Sequence, residues 1–179
     1  MSGAPWPIRI AREADIPAIR TLMDRAIREL MKSFLTPAEI EASFEVMGLD
    51  TQLIEDGTYF VALDGARLVG CGGWGQRATL YGGDHTAGRS DALLDPARDA
   101  ARVRAMYTDP LYARRGVGRA ILEACESAAA AAGFRRFELM ATLAGEPLYR
   151  ACFYQPIERV TSTTSGVAIP LVRMGKTRP

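Results

Sequence analysis

The segment from Thr108 to Leu122 brings phosphate-binding residue types to a predicted strand-to-helix junction. Two glycines lie among three arginines here, at Gly116, Gly118, Arg114, Arg115 and Arg119. Glycine lets a ligand approach the backbone closely, and the first turn of a helix presents free N–H groups at the positive end of its dipole. The segment is therefore typical of a loop that binds a phosphate or pyrophosphate group.

Two common nucleotide-binding patterns do not fit this loop. A Walker A loop requires a Gly-Lys-Ser/Thr ending, and the loop contains no lysine. A dinucleotide fingerprint requires a third glycine at the position of Ile121. The arginines nevertheless indicate an anionic ligand, because residues 98–136 carry eight arginines and four acids, a local sum of 8 − 4 = +4 in a chain of net charge +1.

The elements that must position this loop form an alternation of strands and helices. Asp15 is the predicted N-cap of the first helix, and Thr36-Pro37-Ala38-Glu39 is a capping box for the second. Asp64-Gly65 and Ser165-Gly166 are predicted hairpin turns. The remaining pattern predicts strands near 8–10, 59–63, 68–74, 103–108, 137–141, 155–163 and 167–174, and helices from about 16, 37, 50, 116 and 146. This order predicts an α/β class protein with a mixed sheet packed by helices.

Residues 77–100 show no sustained hydrophobic period and contain His85, the only histidine of the chain. Structureless connections of this length are uncommon in compact domains and are often functional. We expect this long loop to border the ligand site.

Composition excludes several classes of protein. The chain has 179 residues with 22 basic and 21 acidic side chains, so we expect one domain over 1–179 and neither a nucleic-acid nor a membrane partner. Three scattered cysteines and one histidine do not make a zinc site or a disulfide framework, so no metal is expected. Residues 1–7 lack the apolar region of a signal peptide, and a cytoplasmic location is expected.

Taken together, two blocks of this sequence resemble the GNAT superfamily of acyl-CoA-dependent N-acyltransferases. Residues 113–118, Ala-Arg-Arg-Gly-Val-Gly, match that family's Gln/Arg-x-x-Gly-x-Gly/Ala loop except at Ala113. Residues 139–154 match a second block that ends in Tyr-x-x-x-Gly-Phe, with Tyr149 at its tyrosine and Ala144 and Phe153 at its usual asparagine and glycine. The resemblance implies a mostly antiparallel mixed sheet with helices on both faces.

The resemblance also implies coenzyme A, as acetyl-CoA, for the cofactor. Pantetheine would lie along the end of the fourth strand, in a gap that the Asp109-Pro110 interruption would help to open. The implied cofactor-binding residues are Met106, Tyr107, Thr108, Arg114, Arg115, Gly116, Val117, Gly118, Arg119 and Ala120.

The implied reaction is direct attack of an amine on the thioester. Such a reaction needs an oxyanion donor, an acid for the departing thiolate and a route for the amine proton. The resemblance assigns the first two to the backbone N–H of Thr108 and to the hydroxyl of Tyr149. Asp84, His85 and Glu146 are the candidate bases.

The acceptor is expected to be a small-molecule or peptide amine, and the sequence leaves a homodimer open. Three alternatives remain at this point: a catalytically silent acyl-CoA-binding module, an acyltransferase with another acyl donor or an oxygen acceptor, and a structural domain without a ligand.

Overall fold

The computed structural model describes residues 6–178, in which seven strands form one sheet. The N-terminal residues 1–5, part of the segment that shows no signal-peptide pattern, lie outside the described residues, as does Pro179. The strands are β1 (Ile8–Ile10), β2 (Tyr59–Asp64), β3 (Arg67–Gly75), β4 (Ala101–Thr108), β5 (Arg136–Thr142), β6 (Gln155–Thr164) and β7 (Val167–Thr177). Their order in the sheet is β1-β2-β3-β4-β5-β7-β6.

All neighbouring strands of this sheet are antiparallel except β4 and β5, which are parallel. The expected mixed and mostly antiparallel sheet is thereby confirmed. The helices are α1 (Ile16–Leu30), α2 (Pro37–Val46), α3 (Thr51–Glu55), α4 (Val117–Ala131) and α5 (Glu146–Ala151), with 3₁₀ turns at Glu13–Asp15 and Pro110–Tyr112. No helix within residues 6–178 is both long enough and apolar enough to cross a bilayer.

The helices pack on both faces of the sheet. Side chains alternate between the two faces along β2, so Val61 and Ala62 point in opposite directions. Val61 lies in the core cluster that contains the apolar face of α1. Ala62 lies in the cluster that contains the apolar face of α4. The arrangement expected from the resemblance is therefore present.

Glycines in β3 bring α4 close to the sheet. A Cβ placed on Gly70 would collide with Val117 and Ile121 of α4, and one on Gly72 would collide with Met106 of β4. Side chains at these glycines would push the helix outward. Because α4 follows β4 after a short loop, this close packing fixes the start of the helix beside the end of β4.

The predicted helix and turn signals are confirmed with one exception. Thr36 accepts from the N–H of Glu39, whose carboxylate accepts in return from the N–H of Thr36 at 2.7 Å. Gly65 and Gly166 have the positive φ values of tight hairpin turns. Asp15 is the N-cap residue of α1 as predicted, but its carboxylate does not cap the helix: it binds Arg9 and the N–H of Arg12, and α1 follows a 3₁₀ turn.

Candidate active site

A cleft opens between β4 and β5 because the two strands pair over only two residues. The ladder joins Ala101 to Phe137 and Arg102 to Glu138, and does not continue to Val103. The cleft has a volume of about 110 Å³. Its walls are residues 103–107 of β4, Met140, Thr142, Gly145, Tyr149, Leu171, residues 46–48 at the end of α2, and residues 80–82 of the long loop.

A bulge in β4 accompanies this separation. Ala105 has φ +50°, and the register between β3 and β4 shifts opposite it, between Cys71 and Gly73. The hydroxyl of Tyr59 donates to the carbonyl of Ala105 at 2.7 Å and holds the bulged residue. The gap begins at Val103, where pairing with β5 ends, and the bulge lies within it. The expectation that Asp109-Pro110 opens it is wrong, because pairing with β5 already stops after Arg102.

The backbone amide of Thr108 faces the gap. Asp109 and Tyr107 lie opposite Val69 and Cys71 of β3, and the Asp109 N–H donates to β3. Successive residues of a strand direct their N–H groups to opposite sides, so the N–H of Thr108 points away from β3. β5 does not pair with β4 at this residue, so the N–H is available to a ligand.

The start of α4 offers a second group of free amides. Arg114 and Gly116 adopt left-handed conformations, with φ +63° and +84°, and Gly116 is the N-cap. The first helical bond runs from the N–H of Ala120 to the carbonyl of Gly116 at 3.0 Å, so the amides of residues 117–119 have no partner within the helix. Together with the exposed side chains of Arg114 and Arg119, they form a site suited to a pyrophosphate.

Gly118 lies at a closely packed junction. A Cβ on Gly118 would lie 2.8 Å from Leu148 of α5 and 3.6 Å from the hydroxyl oxygen of Thr108. The start of α4, the end of β4 and the start of α5 therefore meet at one point. Val117 and Ala120, also predicted to bind the cofactor, have buried side chains, and the N–H of Ala120 already donates to Gly116.

The guanidinium group of Arg115 is stacked on two aromatic rings. Its carbon lies 5.4 Å from the centre of the Trp6 ring and 4.9 Å from that of Tyr112. The indole N–H of Trp6 also donates to the backbone carbonyl of Arg115 at 3.0 Å. Sequence reasoning missed Trp6, because nothing in a pattern of spacing links residues more than one hundred positions apart.

Tyr149, the predicted acid, lines the cleft. Its side chain is buried, its ring packs on Gly145, and it meets Tyr154 edge to face at 6.0 Å. Burial raises the pKa of the Tyr149 phenol well above its usual value near 10, with smaller contributions from Cys125 and Cys152. The phenol is therefore protonated at neutral pH and able to donate a hydrogen bond.

The three candidate bases lie elsewhere and are engaged by other groups. Asp84 accepts from the N–H and hydroxyl of Thr51, and the imidazole of His85 bonds the carbonyl of Phe44 at 2.7 Å. Burial raises the pKa of Glu146, but hydrogen bonds and charges from Arg150 and Arg159 outweigh it, so the pKa lies below its usual value. None of the three is among the cleft-lining residues that the structure describes.

The long loop does border the cleft, through residues 80–82. It is tied to the fold by Arg104 of β4, a buried residue that sequence reasoning missed. Arg104 donates to the carbonyl of Gly82 and to the carboxylate of Asp50, which also binds Arg89 of the loop at 2.6 Å. A charged residue in the middle of a predicted strand was the available signal.

Comparison with known proteins agrees with this geometry. The model of the acetyltransferase (GNAT) family matches residues 23–153. The fold is similar to a GCN5-related N-acetyltransferase from Rhodopseudomonas palustris, with a TM-score of 0.71 and 17% identity over 99% of this chain and 98% of that one. Among curated proteins, none matches this chain in sequence.

Two further solved structures share the fold. A ribosomal-protein-alanine N-acetyltransferase from Brucella melitensis has a TM-score of 0.64 and 18% identity, over 96% of this chain and 99% of that one. The putative acetyltransferase yncA from Salmonella typhimurium, solved with its cofactor acetyl-CoA, has a TM-score of 0.64 and 16% identity, over 99% and 95%. The family match spans 131 of 179 residues, and the chain belongs to the acetyltransferase (GNAT) family.

Proposed function

We propose that the protein transfers an acetyl group from acetyl-CoA to a primary amine by direct attack in a ternary complex. The observation that carries the proposal is the continuity of free backbone donors. The outward amide of Thr108 at the end of β4 leads to the free amides at the start of α4. This row suits a ligand with an extended amide-bearing arm and a pyrophosphate.

The residues of the row would hold coenzyme A in three parts. The free edge of β4 at Met106–Thr108 pairs with the pantetheine arm. The amides of residues 117–119 and the side chains of Arg114 and Arg119 bind the pyrophosphate. Arg115 contributes its backbone, because its guanidinium is stacked on Trp6 and Tyr112.

The thioester supplies the activated acyl group, and the chain supplies two donors. The N–H of Thr108 donates to the thioester oxygen as negative charge develops there. The hydroxyl of Tyr149 donates to the departing sulfur, whose conjugate acid is a thiol of pKa near 8.5. The amine attacks as its free base, and none of Asp84, His85 and Glu146 is assigned to the reaction.

The alternative of a catalytically silent binding module depended on three residues that differ from the family pattern. Of the three residues that depart from the family pattern, Ala113, Ala144 and Phe153, only Phe153 is bulky, and its side chain does not line the cleft. The Phe153 side chain is 76% exposed. A neighbour of the same fold, yncA, carries acetyl-CoA as its cofactor, and the Brucella neighbour is an alanine N-acetyltransferase.

The test is a calorimetric titration with coenzyme A together with a thiol-release assay. Replacing both Arg114 and Arg119 with alanine is expected to weaken coenzyme A binding by about 1.5–3 kcal/mol, the range for hydrogen bonds to charged groups. The matched control is the double alanine variant of Arg135 and Arg136, which removes the same charge at the far end of α4, roughly 20 Å away. Absence of coenzyme A binding by the unmodified protein, or equal losses in both variants, would contradict the proposal.

A further inference from the structure

One part of the cleft lining is apolar. Val46 of α2 and Leu171 of β7 belong to one hydrophobic cluster, against which Met47, Tyr81 and Met140 pack. Leu80 of the long loop also lines the cleft. We call these six residues, Val46, Met47, Leu80, Tyr81, Met140 and Leu171, the apolar wall. In the proposed reaction the thioester lies near Thr108 and Tyr149, so an acceptor must reach it along this wall.

The charges beside the wall are balanced before any acceptor arrives. Among the described residues that line the cleft, Arg104 is the one with a charged side chain, and it is paired with Asp50. Asp50 also binds Arg89, which in turn contacts Asp84 at 3.4 Å. Two cations and two anions therefore form a neutral network, which offers no free carboxylate to a cationic acceptor.

We propose that the acceptor is a small primary amine whose body is uncharged and apolar. This proposal rests on the proposed acetyl transfer and adds the chemical class of the acceptor. In the reaction, the amine nitrogen bonds to the acetyl carbon, the carbon–sulfur bond breaks, and the sulfur leaves as a thiol. The proton that Tyr149 gives to the sulfur is replaced from water, and one amine proton is lost to water.

The physical reason is desolvation. An apolar body that moves from water onto Leu80, Met140 and Leu171 gains from the burial of its surface. A second charge on the acceptor would lose its hydration on the same wall and find no free partner of opposite sign.

The competing occupant is an amine that also carries a carboxylate. The Nε of Arg104 is buried and makes no hydrogen bond within residues 6–178, so it could in principle serve such a group. The Asp50 carboxylate already neutralises this arginine, and an incoming carboxylate would have to compete with it. The amine with an apolar body is therefore favoured. The amine that carries a carboxylate is the most informative substrate in the experiment that follows.

The experiment compares three amines of similar length in the acetyl-CoA assay: hexylamine, 1,5-diaminopentane and 6-aminohexanoate. They present the same reacting group and differ at the far end, which is a methyl, an ammonium and a carboxylate. We expect kcat/KM for hexylamine to exceed that of each of the others by at least about tenfold, after correction for the two ends of the diamine. A preference for the diamine or for 6-aminohexanoate would overturn the proposal.

Two variants test whether the apolar wall determines the preference among the three amines. Leu80→Glu adds a carboxylate to the cleft, and we expect it to raise the ratio of kcat/KM for the diamine to that for hexylamine by about tenfold. Leu93→Glu is the matched control, because Leu93 belongs to the same loop but is 69% exposed and does not line the cleft. Equal ratios in the two variants would contradict the assignment of the wall.

The experiments distinguish a failure of the acceptor class from a failure of the proposed acetyl transfer. If coenzyme A binds and none of the three amines is acetylated, the acceptor class is wrong while the cofactor site stands. If coenzyme A does not bind, the proposed function is wrong and the acceptor class falls with it.

Discussion

The indole N–H of Trp6 donates to the backbone carbonyl of Arg115, at 3.0 Å, across 109 positions of the chain. The guanidinium of Arg115 lies over the rings of Trp6 and Tyr112, which meet each other edge to face at 5.6 Å. The hydroxyl of Tyr112 in turn donates to Asp64 at 2.7 Å. The segment that precedes β1 therefore holds the residue immediately before Gly116, and with it the conformation of the loop that begins α4.

Trp6→Phe should weaken coenzyme A binding without unfolding the protein. The substitution keeps an aromatic ring for Arg115 to stack on and removes only the hydrogen bond to its carbonyl. Loss of one such bond costs about 0.5–1.5 kcal/mol, so we expect the dissociation constant from calorimetry to rise by roughly two- to twelvefold. Tyr112→Phe, which leaves the Arg115 carbonyl bonded, is the control. An unchanged affinity in Trp6→Phe would show that this bond does not order the loop.

Tyr149→Phe should remove most of the catalysis and leave cofactor binding intact. The variant keeps the ring that packs on Gly145 and Tyr154 and deletes the hydroxyl alone. We expect kcat to fall by about 10²–10⁴, the range for loss of a general acid, with a nearly constant dissociation constant for coenzyme A.

Tyr154→Phe provides the comparison for that experiment. It deletes the hydroxyl of the tyrosine that packs on Tyr149 and does not line the cleft, and kcat should change little. Full activity in Tyr149→Phe would remove Tyr149 from the mechanism, and equal losses in both variants would indicate a general disturbance of the cleft.

The parts of the fold that local sequence specifies were predictable. The capping box at Thr36–Glu39 is read from four adjacent residues, and the glycines at 65 and 166 mark the turns where positive φ is required. The loop before α4 was likewise predictable, because its glycines and arginines are adjacent in the chain. In each case, the cause of the structure lies within a few residues.

The parts that depend on distant contacts were not predictable. Ala105 has a positive φ although alanine gives no local sign of a bulge, and Tyr59 of another strand holds it there. His85 stood out as the only histidine, yet its ring bonds a carbonyl of α2. Residue type can suggest chemistry, but the partner that occupies a side chain is set by the tertiary fold.

Asp109 should make the stability of the protein dependent on acidic pH. Its carboxylate is buried and accepts from Arg67 at 2.8 Å and Arg25 at 3.1 Å. Burial raises the pKa of Asp109, but the hydrogen bonds from Arg67 and the Leu111 N–H and the charges of both arginines outweigh it, so the pKa lies below its usual value near 3.8. A lowered pKa in the folded state means that this stabilisation is present above pH 4 and is lost as the pH falls through the folded pKa.

The measurement is the free energy of unfolding of the unmodified protein and Asp109→Asn between pH 7 and pH 3. We expect the variant to be about 1–2 kcal/mol less stable at pH 7, since its two arginine partners are partly exposed and partly screened. The difference should shrink as the pH falls below 4, because the unmodified protein loses the same charge. A difference that stays constant down to pH 3 would contradict the assignment.

Phe153 occupies a backbone conformation that favours glycine, and Phe153→Gly should therefore stabilise the protein. Its φ is +71° and its side chain is 76% exposed, so little packing offsets the strain. A left-handed conformation costs a residue with a Cβ about 1–2 kcal/mol, and the greater freedom of glycine in the unfolded chain returns about 0.5–1 kcal/mol of that. We expect a net gain of roughly 0.5–1 kcal/mol in the free energy of unfolding by chemical denaturation. Phe153→Ala keeps the Cβ and should show no such gain; equal stabilisation by alanine would mean that removal of the exposed ring, and not relief of backbone strain, is responsible.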